Sequence, residues 1–286
     1  MKMIDQKRLS GERACFQEKN AKISRSVFED GESPLKESRN IHLTDTIFRW
    51  KYPLWYSQAI KADHISLLDT ARSGIWYTHH IEISNSLIQA PKTFRRSSHI
   101  SLKDVHMSDA QESMWNCSDI NLEHVEITGD YFAMSSRNIT ADHLKIVGNY
   151  AFDGAENLDI SHATLLTKDA FWNCKNVVIR DSTIIGEYFG WNSENITLIN
   201  CTVESNQGFC YMKNLHMENC QLLHSDLLFE YSTVEADIKS DIISIKNPIS
   251  GHIAADCIHD IIFDDPDIDR SRTEIRLRKE RVTHAV

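Results

Sequence analysis

The chain has 286 residues, of which 41% are hydrophobic, and only 10 Gly and 5 Pro, so its composition excludes a collagen-like or a disordered chain. Its formal net charge of −10 argues against a general nucleic-acid binder, because phosphate binding requires a basic field. No apolar run matches a membrane span or a signal peptide. The chain has seven cysteines without CxxC spacing, which favours reduced cysteines in the core over a disulfide framework. We therefore expect a cytoplasmic protein with neither a membrane nor a nucleic-acid partner.

One pattern recurs about every 19 to 21 residues along most of the chain: an apolar residue, often preceded by Asn, is followed two positions later by another apolar residue. Alternation with a period of two predicts a short strand with one buried face. In chain order the first apolar positions are Ala21, Ile41, Ile60, Ile81, Ile100, Ile120, Ile139, Leu158, Val177, Ile196, Leu215, Val234 and Ile253. One structural coil is therefore repeated.

Each first strand is followed by two further apolar segments. Val125 with Ile127 is an example of the second segment, and the third carries Phe132, Phe152, Phe171, Phe189 and Phe229. Three short strands per coil, all wound in the same sense, predict an all-β fold: a single-stranded right-handed parallel β-helix (β-solenoid) of about thirteen coils. We predict one domain over 1–286, with an N-terminal cap at 1–20, coils at 21–263 and a charged C-terminal segment at 264–286.

The coil corners carry polar columns. Asn precedes the first strand in many coils, and stacked Asn amides bond to each other while tolerating a left-handed backbone, so we assign this column to structure. Another corner places His124, His143 and His162 on consecutive coils, where they could ligate a metal. Asp or Asn fills the same column elsewhere, which is typical of an exposed turn. We therefore predict no metal and no cofactor.

The third segment combines aromatic and charged residues, and it holds all six tryptophans. Aromatic rings beside charged groups suit sugars, whose C–H faces pack on rings while their hydroxyls bond to charges. The candidate substrate-binding residues are Trp55, Trp76, Tyr77, Lys92, Arg95, Trp115, Trp172, Tyr188 and Trp191. Lys92 and Arg95, together with Arg96, could bind an acidic sugar or a phosphate. A solvated basic turn is the alternative for these three residues.

Carboxylates in the same segment are candidates for catalysis. Paired carboxylates cleave glycosidic bonds, and Asp169 and Glu187 fall at nearly equivalent places on neighbouring coils. Asp130 and Asp153 complete the candidate catalytic set. The alternative is that the carboxylates are solvated and that the rings stabilise the fold without any ligand.

Several strings resemble a bacterial family of proteins of unknown function that is expected to adopt the right-handed β-helix of the pectin-lyase-like superfamily. They are DGESPLKES at 30–38, WKYPLWY at 50–56, GIWYT at 74–78, APKTFRR at 90–96, DAFWNC at 169–174 and NPISG at 247–251. The resemblance covers most of the chain and supports the fold. It supplies no activity or catalytic residue, and no mid-solenoid coil holds the Gly-His-Gly string or adjacent Asp pair of the superfamily's hydrolases.

Two functional hypotheses follow. The first is a protein that binds or modifies carbohydrate, an oligosaccharide or a sugar conjugate, along the third segment; as an enzyme it would have glycoside hydrolase or polysaccharide lyase-like activity. The second is a non-catalytic structural or protein-interaction scaffold. The hypotheses differ in whether the tryptophans line an open groove. A flat solenoid face could also pair with a second copy, so a homo-oligomer remains open.

Overall fold

The computed structural model describes residues 1–279, which form β-strands, turns and two short 3₁₀ helices. The chain divides into two compact units, Met1–Gly148 (unit 1) and Asn149–Val286 (unit 2). In each unit the strands of successive coils pair in parallel. The predicted all-β parallel β-solenoid is therefore confirmed. No helix among the described residues is long and apolar enough to cross a membrane.

Unit 1 places a longer strand on the first side of each coil and a shorter one on the second side, and from β9 onward the two merge into one strand. Its strands are β1 Lys2–Asp5, β2 Arg8–Leu9, β3 Lys19–Ser24, β4 Val27–Phe28, β5 Arg39–Thr44, β6 Ile47–Phe48, β7 Gln58–Asp63, β8 Ser66–Leu67, β9 His79–Ile88, β10 Ser98–Met107, β11 Ser118–Thr128 and β12 Arg137–Val147, with a 3₁₀ helix at Asp69–Ala71. Ile81, Ile100 and Ile120 pair in register and are buried, so stacked aliphatic side chains form the core.

Unit 2 repeats this plan. Its strands are β13 Glu156–Ser161, β14 Thr164–Leu166, β15 Lys175–Arg180, β16 Thr183–Ile185, β17 Glu194–Ile199, β18 Thr202–Asn206, β19 Lys213–Asp226, β20 Thr233–Ile238, β21 Asp241–Lys246, β22 Ser250–Ala255, β23 Cys257–Ile262 and β24 Thr273–Leu277, with a 3₁₀ helix at Arg270–Arg272. A buried ladder of rings fills its core, formed by Phe152, Phe171, Phe189, Phe209 and Phe229, with successive centroids 5.0, 5.3, 5.0 and 5.7 Å apart.

The described residues form about fifteen coils, two more than the thirteen predicted. The extra coils lie at the ends: Ile4 pairs with Ile23, and Ile275 pairs with Ile253. The first coil was not recognised in the sequence because Lys2 occupies the place that the apolar residue Ala21 occupies in the next coil. The Lys2 side chain is exposed and forms an ion pair with Glu18. Residues 280–286 of the predicted C-terminal segment lie outside the described residues.

The third side of each coil, the segment that leads from one coil's second side to the next first-side strand, is not the strand that we predicted. In the coil that contains Tyr52, Leu54 and Tyr56, these alternate residues have φ of 63°, 61° and 55°. Their amides still bond to neighbouring coils, at 3.3 Å to Arg72 O, 3.1 Å to Pro34 O and 2.9 Å to Trp76 O. The inter-coil ladder therefore continues through a left-handed backbone that extended strands do not adopt.

A buried hydroxyl column ends the third side. The hydroxyl of Ser57 accepts the amide of Ser38 at 3.3 Å and donates to the carbonyl of Leu35 at 2.8 Å. Thr78, Ser97, Ser136, Ser193 and Ser232 occupy the same place in other coils and are also buried. These hydroxyls satisfy backbone groups that the turn leaves unpaired.

Candidate functional site

The outer surface of the third side in unit 1 carries a column of flat groups, one per coil: Trp55, Trp76, Arg95 and Trp115. The rings of Trp55 and Trp76 stack at 5.2 Å with planes 9° apart. The Arg95 guanidinium lies between two rings, 5.0 Å from Trp76 and 4.4 Å from Trp115. Their half-buried faces are therefore largely covered by neighbours, so the column offers a ligand mainly ring edges.

The indole N–H groups fix these rings. Nε1 donates to Ser73 O from Trp55 at 2.5 Å and to Lys92 O from Trp76 at 2.8 Å. Trp115 donates in the same way to Tyr131 O at 2.6 Å. Each indole N–H donates a hydrogen bond to a carbonyl of the next coil, and this bond holds the ring parallel to the stack.

One carboxylate gathers two of the predicted binding residues. Glu112 Oε2 lies 2.7 Å from the guanidinium of Arg95 and 3.2 Å from Nζ of Lys92. Nε of Arg95 is the one buried side-chain nitrogen or oxygen in the described chain without a hydrogen-bond partner. Arg95 is thus held by two rings and one carboxylate, and Lys92, more exposed, shares that carboxylate.

A second, more exposed column lies beside the first and contains Tyr56, Tyr77, Arg96 and Asn116. The two tyrosine rings stack at 4.7 Å with planes 4° apart, and the Arg96 guanidinium lies 6.0 Å from the Tyr77 ring. Arg96 has no carboxylate within 4.0 Å among the described residues. Between the two columns is a pocket of about 240 Å³, lined by Trp76, Tyr77, Arg95, Arg96, Trp115 and Asn116. Of these, only Asn116 was not proposed from the sequence as a binding residue, whereas Arg96 was proposed with Lys92 and Arg95 for an acidic sugar or a phosphate.

Unit 2 carries its own tryptophan stack. Trp172 and Trp191 are 5.6 Å apart with planes 14° apart, and their N–H groups donate to Tyr188 O at 2.7 Å and Gln207 O at 2.6 Å. The ring of Tyr188 meets Trp191 edge-on at 5.6 Å, and Nζ of Lys168 lies 5.2 Å from the Tyr188 ring. The predicted binding residues thus form separate clusters, Trp55, Trp76, Tyr77, Lys92, Arg95 and Trp115 in unit 1 and Trp172, Tyr188 and Trp191 in unit 2.

Asp169 is the one carboxyl group of the described residues that is buried, with 3% of its surface exposed. Burial raises the pKa of Asp169, and the nearby Glu187 raises it further, while Lys168 and a hydrogen bond from Tyr150 act in the opposite direction. Glu187 is exposed and lies 2.9 Å from Nζ of Lys168. The two predicted catalytic residues thus interact electrostatically and have unlike environments.

Asp169 and Glu187 are close to equivalent in neighbouring coils, as we expected, but their positions differ by one residue. The amide of Asp169 donates to the carbonyl of Glu187 at 2.9 Å, and Asp169 and Tyr188 share a left-handed backbone, with φ of 55° and 56°. Asp169 therefore corresponds to Tyr188 in the next coil.

The other two candidate carboxylates lie elsewhere. Asp153 Oδ1 accepts from Asn173 Nδ2 at 2.8 Å, and Asn173 Oδ1 accepts from Asn192 at 2.8 Å, so Asp153 ends an amide ladder in unit 2. Asp130 belongs to unit 1, where its backbone carbonyl accepts the amide of Glu112 at 2.9 Å. A catalytic role for the four carboxylates remains a prediction.

Comparison with known proteins identifies a family and several distantly similar solved structures. The A-module of the Azotobacter vinelandii mannuronan C-5 epimerase AlgE4 is 10% identical over 95% of this chain and 87% of that one, with a TM-score of 0.32. A tailspike protein of the E. coli bacteriophage HK620 is 10% identical over 86% of this chain and 59% of that one, with a TM-score of 0.38. The Streptococcus pneumoniae surface protein and adhesin PfbA is 9% identical over 91% of this chain and 76% of that one, with a TM-score of 0.30.

All three TM-scores lie below 0.5, so nothing about this chain is concluded from these structures. No curated protein sequence matches the chain significantly. One family model matches residues 2–276, nearly the whole length. The chain therefore belongs to the family described as Protein of unknown function (DUF3737).

Proposed function

We propose that the protein binds an oligosaccharide through the pocket between the two outer columns of unit 1. The observation that carries the proposal is the composition of this pocket of about 240 Å³, which is lined by two guanidinium groups, one amide group and three aromatic rings. Concave sites with aromatic walls and a few directed polar groups are typical of small-ligand binding.

The stacking decides how a sugar would bind here. Because the faces of Trp76 and Trp115 are covered by Arg95, a sugar ring has no open indole face on which to lie. It would instead contact ring edges while its hydroxyls bond to the exposed Arg96 and Asn116. Arg95 is a positioning residue in this arrangement, because Glu112 and the two rings fix it in the wall of the pocket.

An acid-bearing sugar suits the charges best. Glu112 is shared between Lys92 and Arg95, which leaves one positive charge in excess, and Arg96 adds another that no carboxylate neutralises within the described chain. A guanidinium binds a carboxylate or a sulfate through two parallel hydrogen bonds. The proposed ligand is therefore an oligosaccharide with an acidic substituent.

Calorimetric titration with acidic and neutral oligosaccharides of equal length tests the proposal. We expect saturable binding of the acidic chain, and a loss of affinity on the order of tenfold or more in Arg96→Gln, because a charge-assisted hydrogen bond is worth about 1.5–3 kcal/mol. Arg137→Gln is the matched control, since Arg137 is also exposed in unit 1 but does not line the pocket. Failure of both oligosaccharides to bind, or equal affinity of the two variants, would contradict the proposal and favour a non-catalytic scaffold. Product analysis of the same mixtures separates binding from turnover.

A further inference from the structure

The corner asparagines of unit 2 form hydrogen-bonded ladders that all run in one direction. Nδ2 of Asn176 donates to Oδ1 of Asn157 at 2.9 Å, Asn195 donates to Asn176 at 3.0 Å, and Asn214 donates to Asn195 at 2.9 Å. Each amide gives its N–H to the preceding coil and offers its oxygen to the next. The amide dipoles are therefore aligned, and aligned hydrogen bonds polarise one another.

This ladder stops at Asn214. The next coil has Thr233 at the following place, and its hydroxyl accepts the backbone amide of Asn214 at 2.7 Å, so no amide N–H reaches Oδ1 of Asn214. The shorter ladder from Asp153 stops in the same way at Asn192, because Tyr211 takes the corresponding place in the next coil. Both ladders thus end in a side-chain oxygen that has no ladder donor.

A groove of about 500 Å³ lies at the end of the first ladder, and Asn214 lines it together with Glu194, Tyr211, Lys213 and Tyr231. The two tyrosine rings are 5.4 Å apart with planes 28° apart, and Tyr211 is 44% exposed. Tyr231 is fixed by its hydroxyl, which donates to Asp265 Oδ2 at 2.7 Å. The groove therefore presents aromatic rings beside an outward-facing acceptor.

The charges around this groove favour a positive ligand. Unit 1 contains as many Lys and Arg residues as Asp and Glu residues, so its formal net charge is zero. Unit 2 therefore carries the entire net charge of −10. Glu194 has no cationic group within 4.0 Å in the part of the chain that is described. Cations bind favourably against aromatic rings. Lys213 is the one wall residue that opposes such a ligand.

We propose that this groove is a binding site for a small organic cation, an ammonium or guanidinium compound. The cation donates a hydrogen bond to Oδ1 of Asn214, lies against the tyrosine rings and is paired with the carboxylate of Glu194. This site is independent of the oligosaccharide pocket in unit 1, so either proposal stands if the other fails.

Titration of the full chain with spermidine, and with 1,4-butanediol as an uncharged control, tests the site. We expect spermidine to bind saturably and the diol not to bind. Glu194→Gln removes the carboxylate, and Thr233→Asn supplies the next rung of the ladder, which covers the oxygen of Asn214. Each substitution should weaken spermidine binding by about threefold to tenfold, since a hydrogen bond or ion pair of this kind is worth about 1 kcal/mol.

Lys213 provides a test of opposite sign. Lys213→Gln should strengthen spermidine binding by a similar factor, because it removes the competing cation. Lys175→Gln is the matched control: Lys175 occupies the same column as Glu194 and Lys213, two coils before Lys213 and outside the groove. If Lys175→Gln and Lys213→Gln change affinity equally, the binding is diffuse attraction to an acidic surface and the proposal is wrong. Absence of spermidine binding, or unchanged affinity in both Glu194→Gln and Thr233→Asn, overturns it as well.

Discussion

The third sides of the two units show how one repeat supports different chemistry. In unit 1 the outer column alternates rings with a cation, since Arg95 lies between Trp76 and Trp115, whereas in unit 2 Trp172 lies directly on Trp191. In both units the indole N–H bonds to a carbonyl of the following coil. In these coils the same place is filled by a flat group that stacks on its neighbour, and a planar guanidinium fills it as well as an indole ring does.

Charge separates the units further. Unit 1 gathers cations around one carboxylate, while unit 2 buries a carboxyl group, Asp169, behind the exposed pair of Lys168 and Glu187. The backbone and its hydroxyl column are alike in both, so the difference lies in which residues fill the columns. Binding chemistry in this fold is therefore set column by column, without a change in the coil.

The largest expected effect concerns the buried phenylalanines in the cores of the two units. Phe171 in unit 2 has ring neighbours on both sides, Phe152 at 5.0 Å and Phe189 at 5.3 Å. Phe94 in unit 1 is equally buried but stacks on no other ring of the described residues. Phe94→Ala should lower the free energy of unfolding by about 3–5 kcal/mol through lost burial and a cavity. Phe171→Ala should cost about 0.5–1.5 kcal/mol more for each lost ring pair. Urea unfolding of both variants measures this, and equal losses would show that the ladder adds nothing beyond burial.

The next effect concerns the outer columns. Glu112→Gln leaves Arg95, which is only 22% exposed in its side chain, without a carboxylate between its two rings. We expect a loss of about 1.5–3 kcal/mol in the free energy of unfolding, the usual worth of hydrogen bonds to charged groups. The matched variant in unit 2 is Glu187→Gln, whose pair with Lys168 is 48% exposed on both sides and should change stability little. Similar losses in the two variants would show that the half-buried pair of Glu112 and Arg95 stabilises the fold no more than the exposed pair of Glu187 and Lys168 does.

The first two sides of the coil were predictable, because their strands alternate with a period of two and stack in register, so the same apolar pattern recurs in the sequence of each coil. The third side was not. Tyr52, Leu54, Lys92, Phe94 and Arg96 all adopt positive φ, and no residue type marks that conformation in advance. The hydroxyl column had a weak signal, a small residue recurring before each first strand, which reads equally well as a turn.

The site was predictable in place but not in orientation. All tryptophans lie on the third side as expected, yet Trp55, Trp76, Arg95 and Trp115 are unequally spaced in the chain, so a constant period does not reveal that Arg95 belongs to their column. The same irregularity placed Asp169 one residue out of register with Glu187. Register within an irregular turn depends on the inter-coil hydrogen bonds, which only the folded chain supplies.

The smallest expected effect is one of pH, and it has opposite signs in the two units. The pKa of Asp169 is raised chiefly by burial, so folding favours its protonated form. The folded state then binds more protons than the unfolded state above the ordinary carboxyl pKa, and stability falls as pH rises through the folded-state pKa. Stability of the wild type relative to Asp169→Asn should therefore decline with increasing pH and then level off, because the amide does not ionise.

Asp119 in unit 1 supplies the opposite case. Hydrogen bonds from Asn138 and Ser118 lower its pKa, so its carboxylate stabilises the fold above the ordinary carboxyl pKa and loses that effect as pH falls through the lower folded-state value. Stability of the wild type relative to Asp119→Asn should therefore increase with pH over the acidic range. Urea midpoints at a series of pH values, above and below the reference carboxyl pKa of 3.8, measure both differences. If the two pairs show the same slope, burial does not raise the pKa of Asp169, and the electrostatic contrast between these two carboxyl groups disappears.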